Sequence, residues 1–426
     1  MQKCDVIIIG AGPAGTATAL LLKKKGYQTI LLEQAKFPRD KVCGEFISPA
    51  ADSILNELGV LDSIEAQSPI RLKGVFLSSY EESEMFVDYP DMPYSPGPVT
   101  SLSLPRIVFD NLMLEKVRES GVEIREQHKV LDFIFQDGAV VGVTGRDSRK
   151  TPFTLKAPIV VDAGGRNSIS LRKMNLKKSS KSSEKTAIAA HWEGASLLKD
   201  YCYMHVSQPG YTGIAPVSKD LTNVVLVLDS FYLKGRSIED LYVKTVLKNR
   251  QRKDLLTGGR LTEKPRVVNS LAFSVKKPSC GGLVLVGDAM GFIDPFTGEG
   301  IYLSLRSAQI ATDIIDLAFK NSDFSQNLLS QYETIRRREF RKKFMLVNIL
   351  QKLIYSPPLC TRVMRILSRN PALAKLLVGV TGDYISAETV VSMKFLLKLV
   401  SGAILPQEKD PLSRRIRLKS VMRDLR

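Results

Sequence analysis

Asp5-Val-Ile-Ile-Ile-Gly10-Ala-Gly12-Pro-Ala-Gly15 is an apolar strand that runs straight into a G-x-G-x-x-G turn, and its reading decides the fold. The next residues, Thr16 to Lys25, predict a helix with an apolar face along Ala17, Leu20 and Leu21. A second strand, Thr29–Leu32, ends at Glu33. This strand–helix–strand order is that of a dinucleotide-binding unit. Gly10, Gly12 and Gly15, with the small Ala14, permit a tight turn and let the backbone approach a pyrophosphate at the helix N-terminus. Glu33 offers a carboxylate to ribose hydroxyls and argues against a 2′-phosphate beside it.

The chain has 426 residues, of which 44% are hydrophobic and 25% charged, as in ordinary globular proteins. Its five cysteines are scattered without a C-x-x-C pair, and there are only three histidines. Neither a disulfide framework nor a protein-bound metal is expected, and a reduced, cytoplasmic setting fits. No run reaches the roughly 18 apolar residues of a spanning helix. The net charge of +17 gathers late, in Arg336–Lys343 and in the tail Arg414–Lys419. Without interleaved aromatic residues this charge does not suit nucleic acid. An anionic membrane surface, met from the inner face, is the alternative to plain solvation.

A second strand-and-turn segment lies far downstream. Gly282-Leu-Val-Leu-Val286-Gly287-Asp288-Ala289 leads through Asp294-Pro295-Phe-Thr-Gly298-Glu299-Gly300-Ile301 into a helical pattern that reaches about Phe319. The strand's Asp288 can face a ribityl hydroxyl, and the turn presents N–H groups and a positive helix end to an anionic ring edge. Together with the N-terminal motif, this segment resembles FAD enzymes of the geranylgeranyl-reductase and aromatic-hydroxylase superfamily, over roughly residues 3 to 320. Phe37-Pro-Arg39-Asp-Lys41-Val-Cys43-Gly44-Glu45 is similar to the K-x-C-G loop of geranylgeranyl-reductase-type enzymes. Arg106-Ile-Val-Phe109-Asp110 resembles an R-x-x-F-D element whose arginine contacts the cofactor, and Asp162-Ala-Gly164-Gly165 stands where the family has a further cofactor motif. The resemblance implies FAD held by these segments, with Arg39, Lys41, Cys43, Arg106, Asp162 and Gly164 among its contacts. It leaves open whether the reductant is NAD(P)H or a separate electron-donor protein.

The fold class expected is α/β: a Rossmann-type FAD-binding domain interleaved with an antiparallel-sheet substrate domain, plus a C-terminal helical region. The cofactor domain is placed at 1–70, 106–170 and 280–330, the substrate domain at 71–105 and 185–279, and the helical region with its basic tail at 331–426. Asn223–Leu228 and Val267–Val275 read as half-exposed strands, Lys177–Lys185 as a surface loop, and Val390–Ile404 as a further apolar helix.

Tyr211 stands in Pro209-Gly210-Tyr211-Thr212-Gly213-Ile214-Ala215-Pro216, which resembles the G-Y-x-W-x-F-P substrate motif of geranylgeranyl reductases. Gly213 and Ala215 replace its aromatic residues, which opens the pocket. The reading is a reductase of carbon–carbon double bonds in a hydrophobic, isoprenoid or lipid-like small molecule, with Cys43, Gly44 and Tyr211 at the reacting centre. The alternative is a monooxygenase acting on a hydrophobic aromatic or polyketide; the displaced Asp162 weakens its NADPH-triggered form. Halogenation is disfavoured, because the only tryptophan, Trp192, lies outside this motif and Lys73 reads as a solvated strand lysine. A flavin-containing membrane-bound binding protein without turnover would leave the cofactor site unexplained.

Overall fold

The computed structural model describes residues 4–80, 83–91, 97–178 and 185–391. Val6–Ile9 forms the middle of a five-stranded parallel sheet, flanked by Ile159–Asp162 and Thr29–Leu32, with Leu283–Leu285 and Glu123–Arg125 at the edges. Val6, Ile7, Ile8, Leu31, Val160 and Val161 are fully shielded, as expected of parallel strands covered on both faces. The helix Pro13–Lys24 packs against Gly300–Lys320 and Arg106–Glu119. The hairpin of Lys129–Gln136 and Ala139–Arg146 turns at Asp137-Gly138 with positive φ at both residues, and Pro152–Lys156 adds a third strand.

A separate eight-stranded sheet runs Arg260–Leu261, Lys185–Glu193, Leu221–Asp229, Gly210–Pro216, Tyr201–Ser207, Gly74–Ser78, Glu84–Asp88, and Arg266–Leu271 also pairs with Lys185–Glu193. Both faces are covered, so the half-exposed pattern expected for Asn223–Leu228 is corrected. Val224, Leu226 and Leu228 pack with Tyr242 of the helix Ile238–Lys248, while Val227 packs with Ile354, Cys360 and Met364 of the C-terminal helices. Later helices supply the second cover, and a local hydropathy pattern carries no sign of them.

Three other expectations change. Val267–Val275 is broken: Arg266–Leu271 stays in the large sheet, and Ser274–Val275 pairs with Lys177–Lys178. Ser101–Ser103 leaves the large sheet and joins Phe46–Ile47 and Ile70–Leu72. Within the presumed loop at 177–185, Lys177–Lys178 is a strand and Lys185 a buried strand start, while 179–184 lie outside the described residues.

The C-terminal region is helical from Gln326, five residues ahead of the expected boundary at 331, through Gln326–Ile354, Pro357–Arg369 and Pro371–Thr381. Most of the Val390–Ile404 segment and the whole basic tail lie outside the described residues. The basic run Arg336–Lys343 is partly internal: Arg336 is buried against Glu333, and Lys343 is buried between Glu299, 3.3 Å away, and Asp383. Lys343 thereby ties the helical region to the turn before Gly300–Lys320. Among the described residues no helix is long and apolar enough to cross a membrane.

Replacing Lys343 with Met would leave two buried carboxylates facing each other without a cation. We expect the variant to lose about 3 kcal/mol, read as a lower denaturant midpoint in urea unfolding; an unchanged midpoint would show that the pair does not hold the helices.

Candidate active site

The turn after Val6–Ile9 is shaped by backbone contact. A Cβ at position 15 would lie 1.8 Å from the Gly10 carbonyl oxygen, and Gly10 itself has φ +98° and presses on the Ala163 carbonyl. Gly12 differs: its missing side chain would point into open space whose first neighbour is Arg39 Nη2, at 3.7 Å. Pro13–Lys24 begins there with no side-chain cap, so its first N–H groups face that space. The geometry is that of a cradle for a diphosphate.

Around it the charges are held in place. Asp110, fully buried, accepts from Arg106 Nε and Nη2 at 2.9 Å each and from Arg39 Nη1 at 2.8 Å. Asp110 therefore orients both guanidinium groups. Lys41 stands by Asp288: burial lowers its pKa, and the Asp288 charge works the other way. Arg166 shows the same balance of burial against Asp288 and Cys43. Glu33 accepts from the Ala11 and Ala35 N–H groups at 2.8 and 2.9 Å, which keeps lone pairs for ribose hydroxyls and also clamps the glycine turn. The Asp162 carboxylate is more fully engaged, accepting from Gly164 N, Ser170 N and Ser170 Oγ, so its visible work is to shape the turn from Asp162 to Ser170.

The downstream motif closes the other side. Gly287 follows Leu283–Leu285, packs against Ala14 and donates its N–H to Ser307. Pro295–Thr297 forms a single 3₁₀ turn, Gly298 is left-handed at φ +73°, and Gly300–Lys320 starts at Gly300 and Ile301 without a side-chain cap. A Cβ at Gly300 would meet nothing within 4 Å, again leaving open space before a helix N-terminus. Burial raises the Glu299 pKa to about 7 despite Lys343.

Next to this turn lies a cavity of about 190 Å³. Its walls are the large sheet and the helices Gln326–Ile354, Pro357–Arg369 and Pro371–Thr381. Tyr211, Gly213, Ala215, Gly44, Phe296 and Gly298 all face it, and none of the described lining residues is charged. Cys43 is one residue away, with its sulfur accepting from Glu45 N and lying beside Arg106. Lys73 is elsewhere: half-exposed and paired with Asp200 at 2.6 Å.

Several contributing residues carried no signal in the sequence. Buried Glu45, at φ +55°, accepts from the Arg106 backbone N–H and pairs with His191 Nε2 at 2.7 Å, while His191 Nδ1 meets Glu263 at 2.7 Å. Asn223 donates to the Cys43 carbonyl at 2.7 Å. These contacts fasten the Cys43 loop to the large sheet. Burial opposes the His191 charge, but Glu45 and then Glu263 outweigh it and raise the pKa from 6.5 to about 9. Asp294 accepts from the Tyr211 hydroxyl at 2.6 Å, deep beneath the cavity wall. These groups lie far apart in the chain and belong to no local pattern.

Two open-sided helix starts, three oriented cations and acidic groups at 33 and 288 fit the two halves of FAD, so the fold and cradle define a flavin-dependent oxidoreductase. The chain belongs to the FAD binding domain family, whose model matches residues 3–345. It is 26% identical over 409 residues to the digeranylgeranylglycerophospholipid reductase of Methanocella arvoryzae, covering 89% of this chain and 99% of that protein. It is 25% identical over 377 residues to a 1H-pyrrole-2-carbonyl-[peptidyl-carrier protein] chlorinase of Pseudomonas fluorescens, covering 82% and 84%. Its structure resembles a flavoprotein/dehydrogenase from Cytophaga hutchinsonii with a TM-score of 0.82 and 22% identity, covering 94% of this chain and 98% of that one. Reductase and halogenase relatives thus stand at equal distance.

Two outcomes are expected. Gly12→Val fills the space before the helix, so the purified variant should carry no FAD by its visible absorbance, whereas full occupancy would place the diphosphate elsewhere. His191, with its pKa raised on folding, stabilises fully below about pH 6.5, progressively less as pH rises, and not at all above about 9. The thermal midpoint of His191→Gln should therefore trail the wild type at pH 6 and converge with it by pH 10; a constant gap would refute the charged clamp.

Proposed function

We propose that this chain reduces carbon–carbon double bonds of a hydrophobic isoprenoid or lipid-like molecule. The observation that carries this reading is the uncharged, largely apolar cavity beside the Pro295–Gly298 turn, with the Tyr211 phenol on its wall. Bound FAD supplies hydride chemistry and is recharged by NAD(P)H or a separate donor protein. The protein's own residues exclude water, orient the alkene against the turn, and present a proton donor. Gly213 and Ala215 leave room for a long chain where larger side chains would fill the wall. Cys43 and Gly44 lie where the cofactor loop meets the cavity, and Asp110 fixes the cations that draw the cofactor in.

A second reading, oxygen-dependent hydroxylation of a hydrophobic aromatic or polyketide, would use the same cofactor cradle. The chlorinase relative raises halogenation as well, but Lys73, the lysine it would use, pairs with Asp200 and is not among the residues that line the cavity. An anionic membrane is proposed as the surface from which a lipidic substrate is drawn: Lys352, Arg369 and Lys375 are exposed on helices that wall the cavity.

The deciding experiment incubates chemically reduced holoenzyme with geranylgeraniol, with and without oxygen, and reads the products by mass spectrometry. The reductase reading expects products that have gained two hydrogens under both conditions. Oxygen incorporation, seen only in air and without hydrogenated product, would replace it with the second reading.

A further inference from the structure

Behind Tyr211 lies a group of ionisable side chains that the cofactor cradle does not use. Asp294 is 1% exposed and accepts the Tyr211 hydroxyl on Oδ1 at 2.6 Å. Its Oδ2 has no hydrogen-bond partner, an uncommon state for a buried carboxylate oxygen. The nearest cation to Oδ2 is Lys185 Nζ at 3.7 Å, close enough for an ion pair but long for a hydrogen bond. Lys185 opens the strand Lys185–Glu193, and its side chain keeps 10% exposure. Its ammonium also stands 3.6 Å from the centre of the Tyr355 ring, whose hydroxyl is itself buried without a partner. Thus Lys185, Asp294 and Tyr211 form a line of polar groups from a side chain with slight solvent exposure to a residue of the cavity wall, the Lys185–Asp294 step being longer than a hydrogen bond.

We infer that Lys185, Asp294 and Tyr211 form a proton relay that feeds the cavity. The inference deepens the reductase reading and rests on it. Adding hydrogen across an alkene consumes one proton as well as the hydride that the reduced cofactor provides. Tyr211 gives its hydroxyl proton to the second alkene carbon: the O–H bond breaks and a C–H bond forms. The Asp294 carboxylate then takes a proton on Oδ2 from the Lys185 ammonium, turns that O–H toward the phenolate and reprotonates it, and Lys185 recovers its proton from water. Charge and protons balance at every transfer, and the site returns to its starting state. Lys185 and Asp294 touch neither substrate nor cofactor in this scheme and are positioning and resupply residues; Tyr211 alone is catalytic.

The electrostatics suit the task. Burial pushes the Lys185 pKa down, with Asp294 and then Asp229 opposing, so its proton is more readily released than that of a surface lysine. Burial, and then the Asp294 charge, push the Tyr211 phenol well above its usual range, so a phenolate left there regains its proton avidly. The other ionisable groups facing this cluster are Asp229, opposite Lys185 in the sheet, and Tyr355 with its neighbour Tyr80.

The test uses FAD-loaded full-length protein carrying ¹³C-dimethylated lysines, with the Lys185 resonance identified by its loss in Lys185→Arg. That resonance should titrate below the ordinary lysine range and move lower still in Asp294→Asn. A Lys185 that titrates like a surface lysine, or ignores Asp294→Asn, overturns the relay whatever the activity. In anaerobic multiple turnovers with geranylgeraniol and excess dithionite, Lys185→Met should lower the steady-state rate about tenfold or more while leaving the first turnover and the FAD content unchanged, and regain rate on addition of methylammonium. An undiminished steady-state rate in Lys185→Met would also overturn the relay. If wild-type reduced enzyme is not reoxidised by the alkene at all, the reductase reading fails, and the lysine titration still decides whether the three groups are coupled.

Discussion

Everything at this site depends on the contact between backbone and backbone at the end of the central strand. Gly15 sits against the Gly10 carbonyl, and Gly10 against the Ala163 carbonyl, with no room for a Cβ at either position. That closeness draws the ends of Val6–Ile9 and Ile159–Asp162 together with the start of Pro13–Lys24, and Gly287 adds the end of Leu283–Leu285 by packing on Ala14. The helix then begins with unpaired N–H groups facing open space. Backbone donors and a positive helix end make an anion site without a basic side chain, and the basic side chains are then free to orient the ligand.

The second organising feature is a set of buried charges along the seam between the cofactor sheet, the large sheet and the C-terminal helices. Asp110 holds Arg39 and Arg106; Glu45 and Glu263 hold His191; Glu299 and Asp383 hold Lys343; Asp294 faces Lys185. Removing such groups from water is costly, and apolar packing of the same volume would often stabilise as well. What the ion pairs provide is geometry. Glu45–His191 and Lys185–Asp294 join segments more than a hundred residues apart, and the Lys343, Glu263 and Arg39 pairs join segments 40 to 72 residues apart. Stability and site construction therefore meet in the same contacts.

The cavity lies between a sheet and helices that come from different thirds of the chain. Its floor is set by Gly213 and Ala215 and its roof by residues of Pro357–Arg369 and Pro371–Thr381. The lining is largely apolar and uncharged, and the Pro295–Gly298 turn borders it. The relatives, a digeranylgeranylglycerophospholipid reductase and a carrier-protein chlorinase at nearly equal identity, carry different activities, so the fold alone does not fix the reaction.

Local sequence was sufficient for the parallel sheet, the two glycine-bearing turns and the helices after them, because each is written in consecutive residues: an apolar run, a turn that excludes side chains, a helical period. FAD followed from the family resemblance that these motifs carry, and the structure places Arg39, Lys41 and Arg106 together around Asp110. Local sequence misread Asn223–Leu228 as half-exposed, and it held no sign that Arg336 and Lys343 are buried. Burial in both cases comes from elements supplied elsewhere in the chain. The pairings His191–Glu45, Lys343–Glu299 and Lys185–Asp294 had no local trace, because a single charged residue looks the same in sequence whether solvent or a distant carboxylate surrounds it. Sequence determined the cofactor and its cradle; only the tertiary structure decided which charges are buried together and what cavity they border, since both depend on contacts between segments that the chain itself keeps far apart.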